Sequence, residues 1–240
     1  MRRLLLSLLL LLVAAPAARA LVAEVSQREI AVSTGFTGAE LIVYGAKDTI
    51  PADVVITVRG PHTPVVVRQR TRIAGIWVNG ASAVFETAPG FYAVASTRPL
   101  AELLPEAERR RLRLGLDMLP LRANEPRPGD GFRQALIALK VERGLYREEN
   151  SGVTVTGERL FSARIFLPPT VPPGLYQVDV FGIQNRRVEA VRDLTFAVRR
   201  VGTSAEIWRF AHVHPWLYGV GAVIAAAVVG WAGSVVFRRG

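Results

Sequence analysis

A chain of 240 residues with a net charge of +10 and no cysteine has room for one large domain or two small ones. The missing thiols exclude cysteine nucleophiles, iron–sulfur clusters and cysteine-ligated zinc. The positive balance does not point to nucleic acid: five of the 30 basic residues (Arg2, Arg3, Arg19, Arg238 and Arg239) sit at the ends, and the 25 left face 20 acidic residues.

Residues 1–20 read as a secretory signal. "MRR" is a short cationic start, "LLLSLLLLLV" is apolar but too short for a stable anchor, and "PAARA" ends in small-x-small at Ala18, Arg19 and Ala20. The arginine pair lacks the surroundings of a twin-arginine signal, so the general secretory route is expected. An exported domain of this size buries enough apolar surface to fold without disulfides.

Residues 25–98 alternate at period 2. "DVVITVRG" puts Val54, Ile56 and Val58 on one face, and "ELIVYGA" pairs Leu41 with Val43. Turn signals at Gly35–Gly38, Gly45–Asp48 and Gly60-Pro61 separate the runs, which predicts short antiparallel strands. In "VVVRQRTR", Arg68, Arg70 and Arg72 share one face of a strand, and Val67, Gln69, Thr71 and Ile73 share the other. Three guanidiniums in a row repel unless solvent, carboxylates or an anion answers them. They form either an oxyanion or acidic-partner surface or an edge strand whose charges deter aggregation.

The stretch "GIWVNGASAVFETAPGFYAVASTRP" gathers aromatic residues around Asn79-Gly80. That dipeptide predicts a type I′ hairpin joining a strand near 72–78 to one near 81–87. Ala88-Pro89-Gly90 then turns the chain into a third strand at Phe91–Ser96. With no reactive polar group beside them, the rings are expected to fill a core rather than stack a ligand.

A helical insertion is expected at about 99–147. Pro105 suits a helix start, Glu106 and Glu108 suit its positive end, and Arg109–Arg111 its negative end. "NEPRPGDG" (124–131) is a loop, and Asp130 is placed to cap a helix in which Phe132, Ala135, Leu136, Leu139 and Arg143 share a face. Strands return over 150–200. Phe161, Ala163, Ile165 and Leu167 fall together, as do Tyr176, Val178 and Val180, and Leu194, Phe196 and Val198. A Pro-Pro-Gly turn into a tyrosine-bearing strand is common in immunoglobulin-like sandwiches. The fold expected is mainly β: an immunoglobulin-like β-sandwich over 21–200 with the helical insertion, a juxtamembrane stalk over 201–214 and a C-terminal transmembrane helix over 215–237. Two small β-domains joined by helices would read much the same.

From Trp216 to Phe237 there are 22 residues without charge. At about 1.5 Å each they match the roughly 30 Å hydrocarbon core. Trp216 and Tyr218 suit one headgroup region, and Arg238-Arg239 place a three-residue tail in the cytoplasm. Within the span, Ala222, Ala226, Gly230 and Ser234 recur every four residues, a spacing that lets another helix approach closely. A membrane partner, a second copy, or chance in an Ala-rich span accounts for it equally.

No catalytic, metal or cofactor residue stands out. His212-x-His214 has no third ligand nearby, His62 has no relay partner by sequence, and no zinc-protease helix, nucleophile elbow or phosphate loop is present.

The segments "FTGAELIVYGA", "DVVITVRGP", "GIWVNG", "PGFYAVASTRPL", "LYQVDVF" and "LYGVGAVIAAAVVGWAGSVVFRRG" together resemble the alphaproteobacterial putative transmembrane protein family. The resemblance covers essentially the whole chain after residue 20. It implies a single-pass inner-membrane protein with a periplasmic domain, and an accessory role beside an exporter of the sulfite/taurine class. It brings no catalytic residues. The leading expectation is a non-enzymatic partner of another integral membrane protein or of a second copy. The alternatives are a ligand-binding or sensory module, which with a three-residue tail also needs a partner to signal, and a hydrolase with a scattered site.

Overall fold

The structure, a computed structural model, describes residues 21–47, 53–73, 75–123 and 130–237. The expected signal segment, the loop over 124–129 and the tail with its arginine pair lie outside the described residues. One sheet has the order β1 (Leu21–Val25), β3 (Ala39–Lys47), β10 (Leu160–Leu167), β9 (Val153–Thr156), antiparallel throughout. A second has the order β2 (Glu29–Val32), β12 (Arg187–Arg200), β11 (Gly174–Gln184), β4 (Asp53–Arg59), β7 (Tyr92–Ser96), β8 (Tyr146–Asn150). Its inner pairs are antiparallel; β2–β12 and β7–β8 are parallel. A separate hairpin pairs β5 (Val65–Ile73) with β6 (Ile76–Phe85). Helices α1 (Leu100–Leu103), α2 (Glu106–Leu112) and α3 (Asp130–Glu142) lie between β7 and β8, and α4 (Thr203–Val213) and α5 (Pro215–Phe237) follow β12. The chain is mainly β with one C-terminal apolar helix.

The period-2 pattern explains the first sheet. Phe161, Ala163, Ile165 and Leu167 are buried while Leu160 and Phe166 are exposed. Ala163 pairs with Val43 and Ile165 with Leu41, so buried residues of neighbouring strands share a face. Strand β4 goes further: Val54, Val55, Ile56, Thr57 and Val58 are all buried. The residues at 54, 56 and 58 face the shared core, as the sequence predicts. The other face is closed by the insertion, whose Leu100, Leu103, Leu104 and Leu114 join the same hydrophobic cluster. A strand covered on both sides reads as a continuous apolar run.

Tyrosines tie strands to loops. Tyr176 Oη donates to Pro172 O at 2.6 Å, and its ring stacks on Phe196 with centroids 4.9 Å apart. Tyr146 Oη donates to Pro89 O at 2.8 Å.

Three expectations are corrected. Asn79-Gly80 is not a turn. The hairpin turns at Gly75, whose φ of 86° is the left-handed value glycine adopts without strain, and β6 runs on through Asn79-Gly80. The ladder passes from Arg68↔Ser82 to Arg70↔Asn79, so β6 carries an extra residue there. This is a β-bulge. A side chain at Gly80 would come within 2.9 Å of Thr71 Oγ1, which is why glycine stands there. Second, the aromatic stretch is divided: Phe85, Phe91 and Tyr92 are core, but Trp77 is 64% exposed. Third, the buried stripe of α3 is turned by one position. Leu136 and Lys140 are buried, whereas Leu139 is 43% exposed. Lys140 tolerates this because its stem packs and its Nζ lies 5.7 Å from the Tyr146 ring centre. The stretch expected as a stalk contains the helix α4.

Candidate functional site

Strand register builds a polar site on the helix-covered face of the second sheet. Gln177 of β11 pairs with Arg59 of β4 on one side and Thr195 of β12 on the other, and Asp179 pairs with Thr57. Arg59 and Asp179 form an ion pair across β4–β11. Thr57 Oγ1 donates to Asp179 Oδ2 at 3.3 Å, while Asp179 Oδ1 is buried with no hydrogen-bond partner among the described residues. Burial pushes the Arg59 guanidinium below its usual value, but an arginine stays charged at any physiological pH.

Arg59 opens onto a cleft of 500 Å³ that His62, Arg113, Gln177, Asp193 and Thr195 also line. Arg113 is placed by its backbone. It caps α2 at φ 57°, its N–H bonding to the carbonyls of Arg109 and Arg110. Tyr92 Oη donates to Arg113 O at 3.1 Å and accepts from Gly115 N–H at 3.0 Å. Burial pushes the Tyr92 phenol far above its usual value, so it remains a donor. Two guanidiniums thus share the cleft with one exposed carboxylate, Asp193. The donors Arg59, His62, Thr87, Arg113, Gln177 and Thr195 stand among prolines and leucines in this lining, and the two guanidiniums suit an anionic guest.

Arg68, Arg70 and Arg72 are elsewhere, exposed on the β5–β6 hairpin. Arg72 Nε donates to Gly75 O at 3.2 Å. Arg70 stands opposite Asn79 and Arg72 opposite Trp77. Ala222, Ala226, Gly230 and Ser234 line one side of α5 and are all exposed. The run Arg109–Arg111 behaves as a solvated helix face, with Arg110–Glu106 at 2.6 Å and Arg111–Glu108 at 2.8 Å. His212 and His214 do not converge. His212 Nδ1 lies 2.8 Å from Trp208 O with its ring stacked on Trp208, while His214 packs edge-on against Phe210. Among the described residues no group of His, Asp and Glu side chains is arranged to hold a metal ion.

The sequence did not disclose Arg59, Asp179 and Arg113. The signal it offered was a charged residue inside each of two apolar runs, "DVVITVR" and "LYQVDVF". Only the β4–β11 register joins them.

At the far end of the chain, α5 has the length and apolar composition to cross a membrane, and none of it from Pro215 to Ser234 is buried. A family model described as "Putative transmembrane protein (Alph_Pro_TM)" matches residues 20–239. The chain belongs to this family. No curated protein matches it. Family membership and the exposed apolar helix together make it a membrane protein, and the family's matched region takes in the β-rich part, α4 and all of α5.

Proposed function

We propose that the chain is a single-span inner-membrane protein whose β-rich domain stands in the periplasm and serves, without catalysis, as an accessory to another integral membrane protein. The observation that carries this is α5, an uncharged helix of 23 residues, none of it buried from Pro215 to Ser234. Such a helix is stable only where lipid or another helix surrounds it. The arginine pair after Phe237 favours a cytoplasmic C-terminus, and Ala222, Ala226, Gly230 and Ser234 offer a face on which a second helix can pack. The partner implied by the resemblance is an exporter of the sulfite/taurine class.

The domain is suited to a scaffold role. The order β1-β3-β10-β9 in one sheet, and β12-β11-β4 within the six-stranded other, supports reading it as an immunoglobulin-like sandwich. The Tyr176–Pro172 bond has the geometry of that fold's tyrosine corner. Photo-crosslinkers at Ala226 and Gly230 in the native membrane test the reading. Adducts to one integral membrane protein, lost from position 226 in Gly230→Leu and from position 230 in Ala226→Leu, support it; adducts to lipid alone contradict it.

A second reading, a periplasmic module binding small oxyanions, is favoured by one observation: Arg59 and Arg113 line the same cleft.

A further inference from the structure

The β5–β6 hairpin has a buried root and a bare tip. Val67, Ala83 and Phe85 belong to the core, whereas Ile76 is 69% and Trp77 64% exposed. Directly opposed residues share a face of a ladder, so Trp77 stands on the same face as Arg72, Arg70 and Arg68. Among the described residues neither Arg68 nor Arg70 has an ion-pair partner.

The register fixes where this hairpin is rooted. Gln177 pairs with both Arg59 and Thr195. The end of β4, from which the hairpin departs, therefore lies level with the C-terminal part of β12, from which the chain leaves for α4 and α5. The hairpin's second leg returns to β7 at Tyr92, opposite Arg59. Both legs and the membrane tether thus leave the same end of the sheet. The tether is itself apolar on its surface: α4 exposes Ile207, Trp208, Phe210 and Val213 just before Trp216 and Tyr218. The nine residues of β5 extend roughly 30 Å, and the eleven of α4 roughly 16 Å, so the hairpin is long enough to match the tether.

We propose that the hairpin is a second membrane contact: Ile76 and Trp77 enter the interfacial layer of the bilayer that α5 crosses, and Arg68, Arg70 and Arg72 bind its anionic headgroups. The proposal rests on the reading of α5 as a span. Tryptophan favours the headgroup level, and arginines near an anionic leaflet are drawn to it. An acidic protein would answer the arginines as well, but it gives no reason for the root of the hairpin and the tether to leave the same end of the sheet.

The absence of native cysteine makes the test direct. The full-length chain carrying a nitroxide at Asn79→Cys is reconstituted in nanodiscs of phosphatidylcholine with or without phosphatidylglycerol. Collision with aqueous and lipid-soluble quenchers is then measured. The label is expected to be shielded from the aqueous quencher when phosphatidylglycerol is present. A label at Arg187→Cys, at the other end of β12, is expected to stay aqueous. Arg68→Gln, Arg70→Gln and Arg72→Gln together lower the docked-to-free ratio by roughly a hundredfold. A label at position 79 that stays aqueous with phosphatidylglycerol, while one at Ala226→Cys reads hydrocarbon, overturns the hairpin contact and leaves the span standing. An aqueous reading at Ala226→Cys removes the span and this contact with it. Shielding that persists in the triple Gln variant overturns the headgroup role of the arginines.

Discussion

Asp179 of β11 meets Arg59 of β4 across a strand pair, and its second carboxylate oxygen has no partner among the described residues. The carboxylate is nearly inaccessible, so Arg59 supplies its only charge compensation among the described residues, with the Thr57 hydroxyl alongside. Removing one member strands the other. Asp179→Ala is expected to destabilise the fold by about 3 kcal/mol, a fall in Tm of roughly 10 °C for a domain this size. Replacing both, Asp179→Leu with Arg59→Met, is expected to recover most of that loss, because neither charge is then left unpaired. Thermal unfolding of the full chain in detergent reads both.

Arg113 occupies a backbone conformation that glycine adopts freely, at φ 57°. Arg113→Gly relieves about 1 kcal/mol of strain and is expected to raise Tm by a few degrees. The same variant tests the second functional reading. If the cleft takes small oxyanions, a sulfonate or carboxylate at matched ionic strength raises the wild-type Tm and fails to raise that of the variant.

Tyr176→Phe keeps the ring on Phe196 but loses the bond to Pro172 O. A loss of about 1 kcal/mol is expected, whereas Tyr176→Ala, which also empties core volume, is expected to cost about 3–5 kcal/mol. Equal losses in the two variants would mean that the ring contributes nothing beyond its hydroxyl.

The Asp53 carboxyl gives the fold an acid dependence. Burial alone would push it up, but the bonds from Arg98 and Thr97 outweigh burial and hold it below the usual value. A depressed folded-state pKa stabilises above the unfolded value, about 3.9. That contribution fades as pH falls through the folded value. Stability is therefore expected to drop below about pH 4, and Asp53→Asn to flatten that drop while lowering stability at neutral pH. An unchanged acid limb in Asp53→Asn would contradict the assignment.

What could be read beforehand was what local periodicity determines. The buried faces of β3, β10 and β11 follow from alternation, and the span follows from an uncharged run of sufficient length. What could not be read depends on register or on covering layers. Val55 and Thr57 are buried on the face opposite Val54, Ile56 and Val58, and Val55 belongs to a cluster that takes in Leu100, Leu103, Leu104 and Leu114 from far along the chain. Asn79-Gly80 carries the composition of a turn but sits at a bulge, because the ladder already turns at Gly75. The Arg59–Asp179 pair spans 120 residues, and nothing in either strand alone announces it.

The central claim is a β-rich domain on one side of a membrane held by a helix that crosses it. Single cysteines introduced into the cysteine-free chain test it in intact cells with a membrane-impermeant maleimide. Arg187→Cys is expected to be labelled once the outer membrane is opened, and Arg239→Cys only after the inner membrane is broken. Labelling of both positions before that, or of Arg239→Cys alone, would contradict it.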